Sequence, residues 1–294
     1  LAAVATDVGA SEPDLADRLA VLGPGDQGEQ GAAATHAKEA IAQGAICIDN
    51  GADFRMDPSV PLVVPEVNPE DLKKPQGLIA SPNCSTIQMV VALAPPHRQF
   101  KIRRIIVSTY QAASGAGAKA AEALLAETAA RVRKKPIPKP EALPQPIGFN
   151  VFPQIGPFQE LGYTSEEWKM VRETHKILHD NTIAITATAV RVPVKDAHSE
   201  SVYFETERPT SVEELKTLWR KSPGVALVEE PAYPMPIEAA HKDEVFVGRV
   251  RPDPTVKNGF TCWIVSDNLR KGAALNAIQI AELLFTVPGT LLKK

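Results

Sequence analysis

The sequence of 294 residues lacks the features that would point to a membrane or to a nucleic acid. No apolar run approaches the roughly 20 residues that a membrane-spanning helix requires, and no secretory signal opens the sequence. The formal net charge is only −3, which excludes a strongly basic surface for nucleic acid or for an anionic membrane. We therefore expect neither of these as a partner.

Cysteines and aromatic residues are also few. The three cysteines cannot all pair and form no disulfide framework in a chain of this length, so we expect a cytoplasmic protein. Aromatic residues make up 5% of the sequence, whereas there are 26 prolines, which predicts many loops and turns. The 44% hydrophobic and 23% charged residues are typical of a globular protein and exclude a largely disordered chain.

A glycine-rich dinucleotide-binding turn of the form G-x-G-x-x-G is missing from the first 20 residues. The order of strand (19–22), helix (32–43) and strand (45–49) nevertheless predicts a parallel pair of strands. Gly-Pro-Gly-Asp at 23–26 is a weak substitute for the missing turn and is better interpreted as an ordinary turn. The sequence begins with Leu1 rather than Met, so either the cofactor turn lies upstream of Leu1 or the protein has none.

Strands predominate in the second part of the chain. Because they surround only one or two helices, they predict an antiparallel α+β domain. The segment 134–157 contains seven prolines and predicts a long irregular excursion at the surface or against a partner. The predicted strands are 101–110, 182–194, 201–207, 225–230, 244–250 and 259–265, and the predicted helices are 118–133, 164–180 and 272–285. Within the last helix, the apolar stripe is predicted at Leu275, Ile278, Ala281 and Phe285.

Cys84 is the strongest candidate for a reactive group. The stretch SPNCST (81–86) places its thiol at the start of a helix that is predicted to end at Pro95. Free N–H groups and the positive dipole end of a helix favour a thiolate, and they can also hold an oxyanion. Most lone cysteines are simply buried, but this position and its polar neighbours favour a nucleophile. Cys47 and Cys262 lie within strands and are interpreted as core residues.

His198 is the candidate base for this thiol. It lies in a short polar break that is predicted between two strands, from which an imidazole can reach a cleft. His175 and His179 are four residues apart on one predicted helix, as in some zinc sites. They lack both the intervening glutamate of H-E-x-x-H and a third ligand at a suitable spacing, so we expect no metal site.

Four charged residues are candidates for anion binding or for an ion pair. Arg55 follows the second parallel strand, on the side of the sheet where ligands bind. Arg191 stands in a strand of small or apolar residues, so its charge requires a partner. Glu166 and Lys169 are three residues apart on one helical face, a spacing that by itself indicates a solvated ion pair.

The stretches around these candidates resemble the aspartate-β-semialdehyde dehydrogenase family. They follow the order of that family from about residue 45 to the end of the chain, and it is their number and order that make the resemblance specific. The matching stretches are 48–50, 54–57, 63–68, 81–88, 109–111, 114–117, 163–170, 191–194, 198–201 and 267–274.

The resemblance implies an oxidoreductase that interconverts aspartate 4-semialdehyde and 4-phospho-aspartate through a cysteine thioester, in lysine, threonine and methionine biosynthesis. NADP is the implied cofactor, and inorganic phosphate is the implied second substrate. The implied roles are Cys84 as nucleophile, His198 as general acid and base, Gln111, Glu166 and Arg191 at the amino-acid end of the substrate, Arg55, Asn83 and Lys169 at phosphate, and Ser114, Gly115 and Asn268 at NADP.

The resemblance also implies a fold and an assembly. We expect a Rossmann-like parallel-sheet domain at 1–83 and 272–294 that lacks its N-terminal portion. Residues 84–271 are expected to form an α+β catalytic and dimerisation domain, and the protein is expected to be a homodimer.

The departures from the family pattern leave two alternatives open. The glycine-rich first turn has no counterpart, a Ser-Ala-Gly-type loop is replaced by Gly-Pro-Gly-Asp-Gln (23–27), and Asn-Gly-Ala stands at 50–52. All of these changes lie in the cofactor half, which is consistent with a non-catalytic paralogue or fragment with impaired cofactor binding. The second alternative is an enzyme like N-acetyl-γ-glutamyl-phosphate reductase, but an acetylated substrate has no ammonium group to pair with Glu166.

Overall fold

Residues 19–22, 32–73 and 77–286 are described by a computed structural model of the chain. They form a three-stranded sheet and a six-stranded sheet, with helices packed against both. The turn that the sequence predicts at 23–26, and the first 18 residues, lie outside the described residues.

The smaller sheet is entirely parallel, in the order β1-β2-β3. Its strands are β1 (Leu19–Leu22), β2 (Ile46–Asp49) and β3 (Leu78–Ala80), and α1 (Ala32–Ala42) lies between the first two. The predicted strand-helix-strand unit is therefore confirmed. Leu22 pairs with Asp49, and Asp49 pairs with Ala80, so the carboxyl ends of all three strands meet at one edge. Ligands of parallel α/β sheets bind at this edge.

The larger sheet has the order β5-β4-β6-β9-β8-β7. The prediction of an antiparallel sheet is wrong in part, because β4 pairs with β5, and β7 with β8, in parallel. Each of these pairs is joined by a long connection that contains a helix, and such a connection returns the chain to the end where the previous strand began. The strands are β4 (Ile102–Gln111), β5 (Ala184–Arg191), β6 (His198–Thr206), β7 (Val225–Val228), β8 (Val245–Pro252) and β9 (Gly259–Ser266). The remaining helices are α2 (Cys84–Phe100), α3 (Ala118–Val132), α4 (Ser165–Leu178), α5 (Val212–Arg220), α6 (Pro236–Ala239) and α7 (Leu275–Thr286).

Helix α2 connects the two sheets and continues beyond the end that the sequence predicts. It runs through Pro95 and Pro96 to Phe100. Pro96 has no N–H to donate to the carbonyl of Ala92. The indole Nε1 of Trp219, on α5, donates to that carbonyl instead at 2.7 Å. A side chain from a neighbouring helix thus replaces the backbone hydrogen bond missing at Pro96, and α2 continues past both prolines.

The apolar stripe predicted for the last helix is wrong in part. Ala281 is buried as predicted, but Phe285 is exposed, Leu275 and Ile278 are only half-buried, and the other buried apolar side chains are Ala277, Ile280 and Leu284. The difference arises at Asn276, a polar residue that points inward and donates to the Val63 carbonyl and to Ser81 Oγ, both at 3.0 Å. A π-helical turn at Arg270–Ala274 precedes the helix.

The proline-rich segment 134–157 contains no helix or strand, as predicted, but it is held firmly at its base. Glu127, on α3, is buried and accepts hydrogen bonds from the backbone N–H groups of Ile147 and Gly148, at 2.6 and 2.7 Å. Further along, Phe152 pairs with Arg191 through both backbone groups. The segment therefore packs against the end of β5 rather than forming a solvated linker.

Candidate active site

Cys84 is the first residue of α2, four residues after the end of β3. Asn83 caps the helix, and its Oδ1 accepts hydrogen bonds from the N–H groups of Ser85 and Thr86, at 3.0 and 3.2 Å. An asparagine at this position satisfies N–H groups that have no partner within the helix. The predicted placement of the thiol at a helix start is thus confirmed.

The thiol itself is protonated in this environment. Burial raises the pKa of Cys84 to about 12, and the nearby Glu166 carboxylate adds to this rise. Arg191, Arg55 and the N–H of Ser85 act in the opposite direction but do not compensate. The helix N-terminus favours the thiolate as expected, because the N–H of Ser85 lowers the pKa, but the loss of hydration outweighs this effect.

His198 lies within a strand and not in the polar break predicted between strands. It is the first residue of β6, where it pairs with Ser266 of β9, and it is fully buried. Nδ1 accepts a hydrogen bond from the N–H of Ala112 at 3.0 Å, and Nε2 has no partner. Burial, followed by the charge of Arg191, lowers the pKa of His198 to about 3, although Glu166 opposes this shift. The ring is accordingly neutral near pH 7, with its proton on Nε2.

The residues expected to contact the cofactor lie together beside this ring. A Cβ atom on Gly115 would lie 2.8 Å from Cε1 of His198 and 2.9 Å from Nη1 of Arg191, so only glycine fits there. The side chains of Ser114 and Asn268 hydrogen-bond to each other at 3.2–3.3 Å. Asn268 Oδ1 also accepts from the N–H of Ala197 at 3.0 Å.

Glu166 is at the centre of a buried polar cluster. Its Oε1 accepts from Asn83 Nδ2 at 2.8 Å and from Gln111 Nε2 at 3.3 Å, and its Oε2 faces Lys169 Nζ at 3.3 Å. The predicted ion pair with Lys169 is present, but Glu166 is only 6% exposed and is not solvated. Burial alone would raise its pKa, but Lys169, Asn83, Arg191 and Gln111 together lower it to about 2. Glu166 is therefore a buried carboxylate.

The two arginines of the cleft are held by different groups. Arg191 is buried at the end of β5, and its Nη1 donates to the Ala112 carbonyl at 2.6 Å. Nη1 of Arg55 pairs with Glu173 Oε1 at 3.1 Å, and its Nη2 donates to the Asn50 carbonyl at 3.0 Å. In both arginines Nε is buried without a partner. Buried donors of this kind are rare in proteins unless a ligand completes them.

Two residues that the sequence interpretation missed support the site. Glu173, one of the most buried carboxylates, accepts from the N–H of Asn83 at 2.7 Å as well as from Arg55. Its signal in the sequence is its position seven residues after Glu166, on the same face of α4. Lys271 is 1% exposed and donates to Glu66, Asn276 and Gln279. Nothing in the sequence distinguishes it from an ordinary surface lysine.

Ten of the eleven predicted site residues line one cleft of about 550 Å³, and His198 lies behind Gly115 at its wall. A second cleft of about 770 Å³ lies under the proline-rich segment and shares its border with the first. The shared residues are Gly115, Gly117, Ile155, Glu166, Lys169 and Arg191.

Two absences apply to the described ranges. Within residues 19–22, 32–73 and 77–286, no three histidine, cysteine, aspartate or glutamate side chains are grouped so that they could hold a metal ion. Over the same part of the chain, no helix has the length and hydropathy required to cross a membrane.

The parallel sheet, the larger mixed sheet and the cleft lined by a thiol at a helix start define the class as semialdehyde dehydrogenases. Family models agree: the NAD-binding domain of semialdehyde dehydrogenases matches residues 28–75, and the dimerisation domain matches residues 93–271. Two curated relatives are named aspartate-semialdehyde dehydrogenase. The one from Aquifex aeolicus is 55% identical over 246 residues, which cover 82% of this chain and 72% of the relative. The one from Bacillus subtilis is 51% identical over 259 residues, which cover 84% and 75%.

Solved structures agree with these relatives. The crystal structure of aspartate semialdehyde dehydrogenase II from Vibrio cholerae superposes with a TM-score of 0.84 at 45% identity, covering 86% of this chain and 76% of that one. A structure of the same enzyme complexed with ASA gives the same TM-score at 44% identity over the same shares of both chains. A Candida albicans enzyme solved with NADP has a TM-score of 0.68 at 26% identity, covering 86% and 74%. The chain belongs to the aspartate-semialdehyde dehydrogenase family, which consists of oxidoreductases with a nicotinamide cofactor.

Proposed function

We propose that this protein interconverts aspartate 4-semialdehyde and 4-phospho-aspartate, with NADP as cofactor and inorganic phosphate as second substrate. The carrying observation is that Cys84 lies in one cleft with two separate buried arginines, Arg55 and Arg191, each with an unpaired Nε. The reaction handles two anionic groups, a phosphate and the substrate carboxylate. Two cationic positions beside one nucleophile match that requirement.

Recognition of a free amino acid is supported by Glu166. We propose that Arg191 binds the substrate carboxylate and that Glu166, with Gln111, binds the ammonium group. A carboxylate whose pKa is about 2 is ionised throughout the neutral range and attracts a cation. An N-acetylated substrate has no ammonium group to pair with this carboxylate, and the relatives named above are aspartate-semialdehyde dehydrogenases. The aspartyl substrate is therefore preferred over the N-acetyl-glutamyl one.

Phosphate binding is proposed for Arg55, Lys169 and Asn83. Arg55 retains its Nε–H and one N–H on each terminal nitrogen after its contacts with Glu173 and Asn50 are counted. Lys169 Nζ is partly exposed in the same cleft and adds a second positive charge. This pairing is typical of sites that bind a dianion.

The residues present also fit a nicotinamide cofactor. Gly115 leaves no room for a side chain between the cleft and His198, and Asn50 Oδ1, beyond the end of β2, is buried without a partner. We propose that Ser114, Gly115 and Asn268 hold the nicotinamide end of NADP, which accepts hydride from the substrate when bound. Of the departures from the family pattern, 23–27 lies outside the described residues, and 50–52 borders the cleft. Retention of both Cys84 and His198 argues against a non-catalytic paralogue.

The proposed chemistry starts with attack of Cys84 Sγ on the aldehyde carbon, which forms a thiohemiacetal. His198 accepts the hydroxyl proton as hydride leaves, and the thioester that results is attacked by phosphate, which releases the thiol. In the resting ring the N–H of Ala112 occupies Nδ1, so Nε2 carries the proton and is a donor. To accept a proton at Nε2, the neutral ring must carry its own proton on Nδ1 and lose the hydrogen bond to Ala112.

We further propose a homodimer, supported by the dimerisation-domain match over residues 93–271. The division into 1–83 with 272–294 and 84–271 is proposed because the first set contains the parallel sheet and the second contains the mixed sheet. A role in the biosynthesis of lysine, threonine and methionine follows from the proposed substrate. Because the reaction requires a free thiol at Cys84, we propose the reducing cytoplasm as its location.

Phosphate-dependent reduction of NADP in the presence of aspartate semialdehyde tests the proposal. We expect turnover that requires all three components and no turnover with N-acetylglutamate semialdehyde. A parallel fluorescence titration with NADPH measures cofactor binding. Binding without turnover would favour the non-catalytic alternative, and preference for the acetylated substrate would overturn the assignment of Glu166.

A further inference from the structure

Glu173 joins two separate parts of the cleft through its two carboxylate oxygens. Oε1 contacts Nη1 of Arg55 at 3.1 Å, and Oε2 accepts from the backbone N–H of Asn83 at 2.7 Å. The side chain is 1% exposed and does not itself line the cleft. It thus touches one side chain proposed to bind phosphate and the residue directly before the nucleophile.

The backbone near Arg55 is held by a residue other than Glu173. The fold of this segment can therefore be distinguished from the orientation of the Arg55 side chain. Lys176, three residues after Glu173 on α4, donates from Nζ to the carbonyls of Arg55, Asp57 and Val60, at 2.7–2.8 Å. The position of this backbone segment therefore does not depend on Glu173. What Glu173 adds is a hold on Nη1 of the guanidinium, whose Nη2 is held by the Asn50 carbonyl, and the two contacts together fix the direction of this group.

Asn83 is held in a similar way by two carboxylates of one helix. Glu166 accepts from its side chain, and Glu173 accepts from its backbone N–H. Cys84 directly follows Asn83 in the chain, so the position of the thiol in the cleft depends on how Asn83 packs against α4. One carboxylate thereby sets the relative position of the thiol and of the guanidinium.

We propose that Glu173 is a positioning residue that aligns Arg55 with Cys84, so that a phosphate bound by Arg55 reaches the carbon of the Cys84 thioester. This inference rests on the proposed function, because it assumes that Arg55 binds phosphate. It assigns the contact between Glu173 Oε1 and Arg55 to the phosphate step alone. Formation of the thioester, which precedes that step, should not depend on this contact.

Glu173→Gln is the informative variant. Its amide has the same size but only one acceptor oxygen, and its NH₂ group must face one of the two donors. The N–H of Asn83 is fixed in the backbone, whereas Arg55 can rotate, so the oxygen stays with Asn83 and the guanidinium turns away. A displacement of about 1 Å in a group that positions a substrate lowers the rate of the affected step on the order of 10²-fold.

Two measurements divide the reaction at the thioester. Mixing enzyme, nicotinamide cofactor and aldehyde without phosphate measures the first turnover, and steady-state kinetics with phosphate varied measures the second half. For Glu173→Gln we expect an unchanged first turnover and a phosphate kcat/KM lowered on the order of 10²-fold. Glu173→Asp keeps both oxygens on a shorter side chain and is measured in parallel. It supplies the same comparison if the glutamine variant does not fold.

Glu167→Gln is the matched control. Glu167 is buried on the same helix and accepts from two backbone N–H groups, those of Thr164 and Ala189, but it does not line the cleft. We expect it to lower thermal stability and to leave the phosphate kinetics unchanged. If Glu173→Gln behaves like this control, or slows both halves equally, Glu173 is merely structural and the inference is overturned.

Arg55→Ala separates this inference from the proposed function. If Arg55→Ala impairs the phosphate step and Glu173→Gln does not, only the positioning role fails. If neither variant affects phosphate, the assignment of Arg55 to phosphate fails as well.

Discussion

Gly115 packs directly against the imidazole of His198. A Cβ atom on the glycine would lie 2.8 Å from Cε1 and 2.9 Å from Nε2 of the ring. Real Cβ atoms essentially never approach a heavy atom this closely. The loop that carries Ser114 and Gly115 can therefore reach the cleft only because one of its residues has no side chain. The contact also leaves Nε2, which has no protein partner, at the cleft wall.

Gly115→Ala should lower kcat on the order of 10²-fold, because the added methyl group displaces the imidazole from the position that the reaction requires. The fold should persist, since the glycine lies at the edge of the cleft and not in the core. Steady-state kinetics together with a thermal unfolding curve checks this expectation. Normal turnover in a stably folded variant would show that the ring position is not critical.

Cys84→Ala should abolish phosphate-dependent reduction of NADP while the protein remains folded, because no other described cysteine opens a helix. Cys47→Ala is the matched control. Cys47 is buried within β2, so its loss should reduce stability and leave the reaction in place. Turnover of the Cys84 variant at the wild-type rate would exclude a thioester mechanism.

His198→Asn should lower the rate of the hydride step by about 10²–10⁴-fold, the range for loss of a general acid or base. Substrate affinity should change much less, because the ring is not assigned to any anionic group of the substrate. Single-turnover measurements with saturating aldehyde test this directly. An unchanged rate with a raised KM would make His198 a binding residue.

His198 should also make the folded protein sensitive to acid. Burial lowers its pKa from the ordinary 6.5 to about 3 in the folded protein, so the unfolded chain takes up the proton first as the pH falls. Stability is complete above about pH 6.5 and declines between about pH 6.5 and pH 3, by roughly 3 kcal/mol at about pH 4.5. Urea unfolding of His198→Asn across this window should show a shallower decline than the wild type. Parallel curves would mean that the histidine is not held neutral.

Arg55→Ala and Arg191→Ala should affect different substrates. The first should raise the KM for phosphate and the second the KM for the aldehyde. Each loss corresponds to on the order of 2–5 kcal/mol of binding free energy if the ion pair in the complex is desolvated. Arg191→Lys should not restore the wild-type value, because lysine cannot form a bidentate contact. Equal effects of both alanine variants on both substrates would contradict the assignment of two separate anion sites.

Trp219→Phe should lower the free energy of unfolding by about 1–3 kcal/mol, because it leaves the Ala92 carbonyl buried without a donor beside the two prolines of α2. Trp168→Phe is a suitable comparison, since the indole N–H of Trp168 has no hydrogen-bond partner. Chemical unfolding of both variants tests this difference. If the free energy of unfolding falls no more in Trp219→Phe than in Trp168→Phe, the hydrogen bond from Trp219 is not needed for α2 to continue past its prolines.

Local patterns predicted the elements whose causes are local. The helix start at Cys84 needs only a few neighbouring residues and is present as predicted, with Asn83 as its cap. The predicted helix at 164–180 likewise begins at a local signal, the capping box of Thr164 and Glu167. The first strand-helix-strand unit follows from its turn residues and its apolar runs in the same way. Ten of the residues assigned from the family motifs line one cleft, as their shared assignment to one active site predicts.

Features that depend on distant partners were predicted wrongly or missed. Helix α2 does not end at the predicted Pro95, and the backbone donor that Pro96 lacks is replaced by Trp219, more than a hundred residues away in sequence. His198 belongs to β6 because β9 pairs with it there. Glu173 looks like a surface glutamate until Arg55 and Asn83 are brought to it.

The sequence alone therefore determined the chemistry available to this protein: a thiol at a helix start, an imidazole, and charges suited to two anions. Tertiary structure decided the state of those groups. Burial keeps the Cys84 thiol protonated and His198 neutral, whereas clustered donors keep Glu166 ionised. The reason is that a pKa depends on hydration and on charges within a few ångströms, and these neighbours come from segments that are far apart in the chain.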